Sequence, residues 1–220
     1  MQRVDFIASM HKRTARNYLE RVTSHDKAAC AVVAQQWGYD YWDGDRCYGY
    51  GGMRYDGRWR LFAEKFAAHY GLKSGMRVLD IGCGKGYLLY ELTQVVPGLE
   101  VVGLDISAYA LEHAKEEIRD RLVLGDATTL PFESGSFDLV YSIITLHNLP
   151  LDRLIQAVQE IVRVGKTHRY LCVESFRNEQ EKVNLLYWQL TCQSFFSPEV
   201  WEYVYRLAGY SGDTDYIYFE

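Results

Sequence analysis

The run Val78-Leu79-Asp80-Ile81-Gly82-Cys83-Gly84-Lys85-Gly86 decides how the rest of the chain is read. Apolar residues lead into an acid, glycine then takes every second position, and an amphipathic helical pattern follows. This is a buried strand entering a sharp turn at a helix N-terminus. Glycine tolerates positive φ there and leaves bare backbone, whose exposed amides can hold a ligand. The spacing is G-x-G-x-G with an acid two residues ahead, whereas a dinucleotide fingerprint spaces its glycines G-x-G-x-x-G. A glycine-rich turn without a ligand and a nicotinamide site with a slipped register compete with this reading, so the partners downstream must decide.

Those partners appear in order. Val101-Val102-Gly103-Leu104-Asp105-Ile106-Ser107 ends a second strand in an acid, about 20–25 residues past the glycines, where a carboxylate can accept both hydroxyls of a ribose. Leu124-Gly125-Asp126-Ala127 follows a third strand, and Ser136-Phe137-Asp138-Leu139-Val140-Tyr141-Ser142 forms a fourth. Strand signals fall at 78–81, 100–104, 122–124, 137–142, 170–174 and 216–219. Helical spacing falls at 86–95, 108–119, 151–162, 183–189 and 198–208, after an N-terminal region helical over about 14–36 and 58–70. Short apolar strands alternating with amphipathic helices give a mostly parallel sheet covered on both faces, with ligands beyond the carboxyl ends of its strands.

Across about residues 76–150 this set of motifs resembles the class I S-adenosylmethionine-dependent methyltransferases. The resemblance implies an α/β, Rossmann-like fold with a seven-stranded, mostly parallel sheet. It implies S-adenosylmethionine as cofactor, bound by Asp80, Gly82, Cys83, Gly84, Gly86, Asp105, Ile106, Asp126, Ala127 and Ser142. In that scheme Asp80 supports the glycine turn and reaches the methionyl amino group, and Asp105 holds the ribose. Ile106 packs on the adenine face, and Asp126, with the next backbone N–H, reads the adenine amino group. The glycine register and the Gly125-Asp126-Ala127 motif count against a nicotinamide enzyme. After the fourth strand, Ile143-Ile144-Thr145-Leu146-His147-Asn148 places His147 at a strand end facing the cleft, in the pKa range of a general base. Holding the loop is its alternative role.

Composition bounds the rest. The 220 residues divide into an N-terminal part, 1–60, of helices and an aromatic lid, and one compact cofactor-binding unit, 61–220. A net charge of -5 argues against nucleic acid as the main partner, because phosphate binding leaves a basic stripe. Five scattered cysteines form neither a disulfide framework nor a zinc site, and no metal is expected. Without a continuous apolar N-terminal stretch, the chain reads as cytoplasmic with no membrane partner.

The segment from Trp37 to Trp59 interleaves aromatics, acids, arginines and glycines with no regular period. It is too aromatic for a disordered linker, and loops of this length in a compact domain are usually lids or binding loops. It is expected to fold over the cleft. Tyr41, Trp42, Tyr48, Tyr50 and Tyr55 would exclude water, Arg46, Arg54 and Arg58 would offer bidentate donors to an anion, and Glu174, Arg177 and Tyr187 would line the acceptor pocket from the end of the fifth strand and beyond it. A homodimer surface is the alternative. The Tyr41–Arg46 and Tyr55–Trp59 signatures and the run 186–192 resemble a narrower bacterial group associated with surface-polysaccharide gene clusters, including those making O-methyl phosphoramidate capsule decorations. That resemblance implies O-methylation of a small anionic acceptor, a phosphoramidate carried by a cytidine nucleotide. A sugar hydroxyl with His147 as base, and a SAM-binding subunit without turnover, are the other readings.

Overall fold

The computed structural model describes residues 1–7, 11 and 16–220. Its sheet contains β1 (Gln2–Arg3), β2 (Arg77–Ile81), β3 (Glu100–Asp105), β4 (Leu122–Leu124), β5 (Phe137–Ile143), β6 (Gly165–Ser175) and β7 (Asp213–Tyr218). Their order is β1-β7-β6-β5-β2-β3-β4, and every neighbouring pair is parallel. The seven-stranded Rossmann-like arrangement expected from the motifs is present, and among the described residues no strand runs against the rest. Its switch point lies between β2 and β5, where the chain leaves one half of the sheet for the other and where such folds bind ligands.

The strands are buried on both faces, and their side chains sort by parity. Val78, Leu139, Tyr141, Tyr170 and Cys172 enter one core, while Leu79, Ile81, Val140, Leu171 and Val173 enter the other. The first core is aromatic: Phe66 packs on Phe62, Tyr141 and Tyr170 with ring centroids 5.1–5.2 Å apart, and Phe6 joins it. The second lies under the helix Leu151–Val164, whose Leu154, Ala157, Val158 and Ile161 recur at i, i+3, i+4 and i+7.

Helices α1 (Tyr18–Thr23), α2 (Lys27–Ala34), α3 (Tyr39–Trp42) and α4 (Arg60–Tyr70) precede β2. Residues 14 and 15, where helical spacing begins in the sequence, lie outside the described residues. Helix α4 stops at Gly71, whose φ of 59° takes the left-handed cap conformation. Helices α5 (Tyr87–Val95), α6 (Ala108–Glu112), α7 (Leu151–Val164), α8 (Glu179–Trp188) and α9 (Pro198–Leu207) cross between strands.

Two elements differ from their sequence patterns for local reasons. The helix expected over 108–119 ends at Glu112, and a 3₁₀ turn follows at Glu116–Arg121. Lys115 leaves the helical region because its N–H donates to the Lys85 carbonyl at 3.2 Å and its ammonium lies over the Tyr55 and Tyr90 rings. Helix α8 starts earlier than its apolar spacing suggests, because Asn178 caps it by accepting from the Glu181 amide. Among the described residues no helix is long and apolar enough to cross a membrane.

Candidate functional site

The site is built at the carboxyl ends of β2, β3, β5 and β6. Gly82, Gly84 and Gly86 all take positive φ (82°, 53° and 70°), so the turn needs glycine at each. A Cβ on Gly82 would overlap the Thr145 side chain, and one on Gly84 would sit 2.7 Å from the Trp42 ring. Most of the turn's amides are already engaged. Gly82 and Cys83 both donate to the Leu104 carbonyl, Gly84 to an Asp105 carboxylate oxygen and Gly86 to the Cys83 carbonyl. What the turn chiefly offers a ligand is its Cα surface.

Asp80 is buried beneath this turn, and desolvation, with Asp105's charge adding, pushes its carboxyl up to about 8. Asp105 is buried too. Its two oxygens accept from the amides of Gly84 (2.7 Å) and Ser107 (2.8 Å), and burial raises its pKa against those bonds. The acid thus braces the turn from the next strand. Ile106 is exposed beside it, a free apolar face of the kind a purine covers. Asp126 accepts from Thr128 and is paired with Arg153, and Ala127 packs against the core. Ser142 donates its hydroxyl to the Ile81 carbonyl at 2.8 Å, a bond that ties β5 to β2.

The aromatic segment packs directly on the turn. Trp42 lies on Gly84 and donates to Ser107 Oγ and the Trp37 carbonyl. Behind it, the buried Lys85 ammonium sits 2.7 Å from both oxygens of Asp43 and 2.9 Å from the Met53 carbonyl. Tyr109 and the Met53 amide also donate to Asp43. Tyr55 donates to the buried Glu91, and Tyr50 stacks on Trp42. The space left above Asp80 and the turn is about 80 Å³, well under the roughly 300 Å³ at which small-molecule sites begin. With residues 37–55 packed as they are, this space alone is too small for an adenosyl group.

Next to this space, and sharing Tyr50, Met53, Trp59, Tyr87 and Ile144 with it, is a cavity of about 650 Å³. Arg16, Arg21, Arg46, Arg54 and Arg58 line it, with Tyr41, Trp188, His147 and Glu174. The guanidinia of Arg16, Arg21 and Arg46 all lie 5.3–5.4 Å from the Trp188 ring. Arg21 and Arg46 donate to main-chain carbonyls, and no carboxylate pairs with either among the described residues. Burial, with the charge of Arg46 adding, lowers the pKa of Arg21. Crowded cations such as Arg21 and Arg46, without a carboxylate partner among the described residues, suit an anion.

The structure redistributes several expected roles. Arg58 reaches the cavity but is paired with Asp56 at 2.6 Å, so an acceptor must compete with that carboxylate. Arg177 is bound to Glu181 and Glu220 and Tyr187 is exposed; neither lines the cavity. Trp188, one residue on, lines it instead. Burial pushes His147 down to about 3, out of the range expected of a general base. Arg16 and Arg21 carried no distinctive motif, and Trp59 and Lys85 lay inside quoted motifs without a role of their own, although a lysine between two glycines of a tight turn is itself a signal that a cation is wanted there.

Residues 79–173 match the family model described as "Methyltransferase domain". That match covers less than half of the chain and agrees with the sheet order and the glycine turn already described. The fold is the Rossmann-like class I methyltransferase fold. S-adenosylmethionine is the cofactor such a domain takes, and the positive-φ glycines and the buried acid beneath them fit its methionyl end. Among curated relatives, the chain is 34% identical over 137 residues to a sterol 24-C-methyltransferase of Gibberella zeae, covering 56% of this chain and 36% of that one. It is 35% identical over 123 residues to a demethylmenaquinone methyltransferase of Lactococcus lactis, covering 52% and 48%. The chain thus spans about half or less of these relatives' length. Among solved structures, a chain from the complex of the Haloferax volcanii Trm112 methyltransferase activator with a putative methyltransferase superposes with a TM-score of 0.58. It is 22% identical, covering 89% of this chain and 77% of that one. The YcgJ protein of Bacillus subtilis superposes at 0.53 with 21% identity, covering 66% of each.

Proposed function

We propose that the chain transfers the methyl group of S-adenosylmethionine to an oxygen of a small acceptor bearing an anionic group. The observation that carries this reading is the arginine-lined cavity of about 650 Å³ contiguous with the glycine turn. When bound, the cofactor supplies an electrophilic methyl group on a sulfonium. The chain's own task is alignment and exclusion of water. The glycine turn and Asp80 fix the donor, Arg21 and Arg46 fix the acceptor's anion against Trp188, and residues 37–59, as a lid on the domain 61–220, close over both.

The narrower candidate is a cytidine-linked phosphoramidate of surface-polysaccharide biosynthesis, and a hydroxylated sugar phosphate shares its anion. The aromatic walls also suit an apolar ring, such as the quinone implied by the name of the Lactococcus relative. Calorimetry with S-adenosylmethionine and S-adenosylhomocysteine comes first; affinity for neither overturns the reading. Incubation with the donor and the three acceptor types, followed by mass detection of a fourteen-dalton gain, then tests the acceptor. A gain on an anionic acceptor supports the proposal, and a gain on demethylmenaquinone alone overturns its acceptor half. Tight donor binding with no gain on any acceptor favours a subunit without turnover.

A further inference from the structure

We propose that Glu174 is the catalytic base, its carboxylate taking the proton of an acceptor hydroxyl as that oxygen attacks the donor methyl, with His147 as its positioning residue. This rests on the methyl-transfer reading above and deepens it: the nucleophile is a protic O–H, distinct from the anionic group held by the arginines.

Glu174 stands near the end of β6, is 4% exposed and lines the large cavity. Its Oε2 atom is buried and has no hydrogen-bond partner among the described residues. No Lys or Arg forms a salt bridge with it among those residues. Beyond the long His147 contact at 3.5 Å this buried oxygen has no donor among the described residues, which is costly, and a ligand hydroxyl is a donor the cavity can admit. The position suits the reaction. Asp80 pairs with Tyr141 and Tyr141 with Tyr170, so β2, β5 and β6 lie side by side. Glu174 is therefore two strand spacings, about 10 Å, across the sheet from the glycine turn. Tyr50 and Ile144, which line both cavities, stand between them.

His147 explains how the carboxyl is aimed. The Glu174 amide lies 3.4 Å from His147 Nδ1, a long contact in which the ring nitrogen accepts, and Nε2 is then the protonated nitrogen facing Glu174 Oε2 at 3.5 Å. With the imidazole neutral, this is a dipolar contact and not an ion pair. Burial raises the Glu174 carboxyl to about 8, with a Gln189 hydrogen bond and the charge of Arg16 opposing the rise. About a tenth of it is ionised at pH 7, and its basicity is matched to proton transfer near neutrality. In the step itself the acceptor's O–H bond breaks toward Glu174 as its O–C bond forms. The S–C bond of the sulfonium breaks in the same event, leaving a neutral thioether, and the proton on Glu174 passes to water afterwards.

The test needs no known acceptor. The native protein and Glu174→Gln are titrated calorimetrically with S-adenosylhomocysteine and with sinefungin, in which an amine-bearing carbon stands where the methylated sulfonium would be. Sinefungin carries the extra cation, and Asp80, raised to about 8, titrates in the same range in both proteins, so the difference between native and variant in the pH dependence of the affinity ratio reports Glu174. The groups facing Glu174 are His147, Arg16, Tyr41, Tyr50, Cys172 and Cys192. His147 titrates below the window, the tyrosines and cysteines are raised above it, and arginine stays charged. The expected result is a sinefungin preference that grows from pH 6.5 to 8.5 at least about five-fold more in the native protein than in Glu174→Gln. A ratio independent of pH in the native protein overturns the inference, and that result stands even if Glu174→Gln does not fold. An equal rise in both proteins also overturns it. Binding of neither probe overturns the methyl-transfer reading itself.

Discussion

Replacing Asp43 by alanine should cost far more stability than replacing its partner. The Lys85 side chain is 5% exposed and that of Asp43 23%. Burial pushes the Asp43 carboxyl up, but the hydrogen bonds from Lys85 and Tyr109 outweigh it and hold the group below the ordinary carboxylate range. Asp43→Ala leaves a buried ammonium with only the Met53 carbonyl, and an uncompensated buried charge costs about 3–5 kcal/mol. Lys85→Met keeps the chain length and leaves a partly solvated carboxylate still accepting from Tyr109 and the Met53 amide, which should cost about 1–2 kcal/mol. With no cation left to strand, the double variant should resemble Lys85→Met, a coupling as large as the Asp43→Ala loss, about 3–5 kcal/mol. Urea unfolding of the four proteins at pH 7.5, with m-values compared, measures all three numbers. Equal losses in the two single variants, or a double variant equal to their sum, would refute the reasoning. Because Asp43 follows Trp42, the same variants should change S-adenosylhomocysteine affinity in the same order.

Gly84→Ala should weaken S-adenosylhomocysteine binding and lower the Tm, because its φ of 53° and the Trp42 ring 2.7 Å from the new Cβ leave no relaxed position; an unchanged Tm would contradict this. His147 should confer acid sensitivity. Its folded pKa, about 3, lies below the unfolded value near 6.5, so its stabilisation is complete above about pH 6.5 and is lost as pH falls toward 3. Thermal scans should show that His147→Asn flattens this limb. Glu174 acts in the opposite sense: its folded pKa of about 8 lies above the unfolded value near 4.5, so stability falls as pH rises between the two, and Glu174→Gln should remove that slope. Arg46→Ala should raise the KM of the anionic acceptor about ten-fold or more, while Arg58→Ala, already bound to Asp56, should change it about three-fold or less.

The glycine turn and its flanking acids were largely legible because their signals are local. A strand, an acid, a turn demanding positive φ and a second strand-end acid all lie within a short stretch, and backbone geometry allows few residues there. The same locality hid what those groups do. Nothing in residues 82–86 reveals that Leu104 and Asp105 consume their amides, since those partners come from another strand. His147 looked like a base because its sequence position faces the cleft, and only the packing of β6 and the 191–194 loop around it reveals how dry it is. The acceptor wall draws Arg16, Arg21 and Trp188 from opposite ends of the chain, a proximity that no periodicity encodes. Strand β1 is two residues long, too short to show alternation.

That short strand has a bearing on how the molecule is made. Gln2 and Arg3 pair with Asp213 and Thr214, and the Phe6 amide donates to Asp215 across 209 residues. Synthesised from the amino end, these residues leave the ribosome long before their partners do, so one margin of the sheet stays open until translation has passed residue 218. Closing so distant a contact is slow, and an open strand margin is a template for pairing with a neighbouring nascent chain. Clipping the first seven residues should therefore harm yield and solubility more than it harms chemistry.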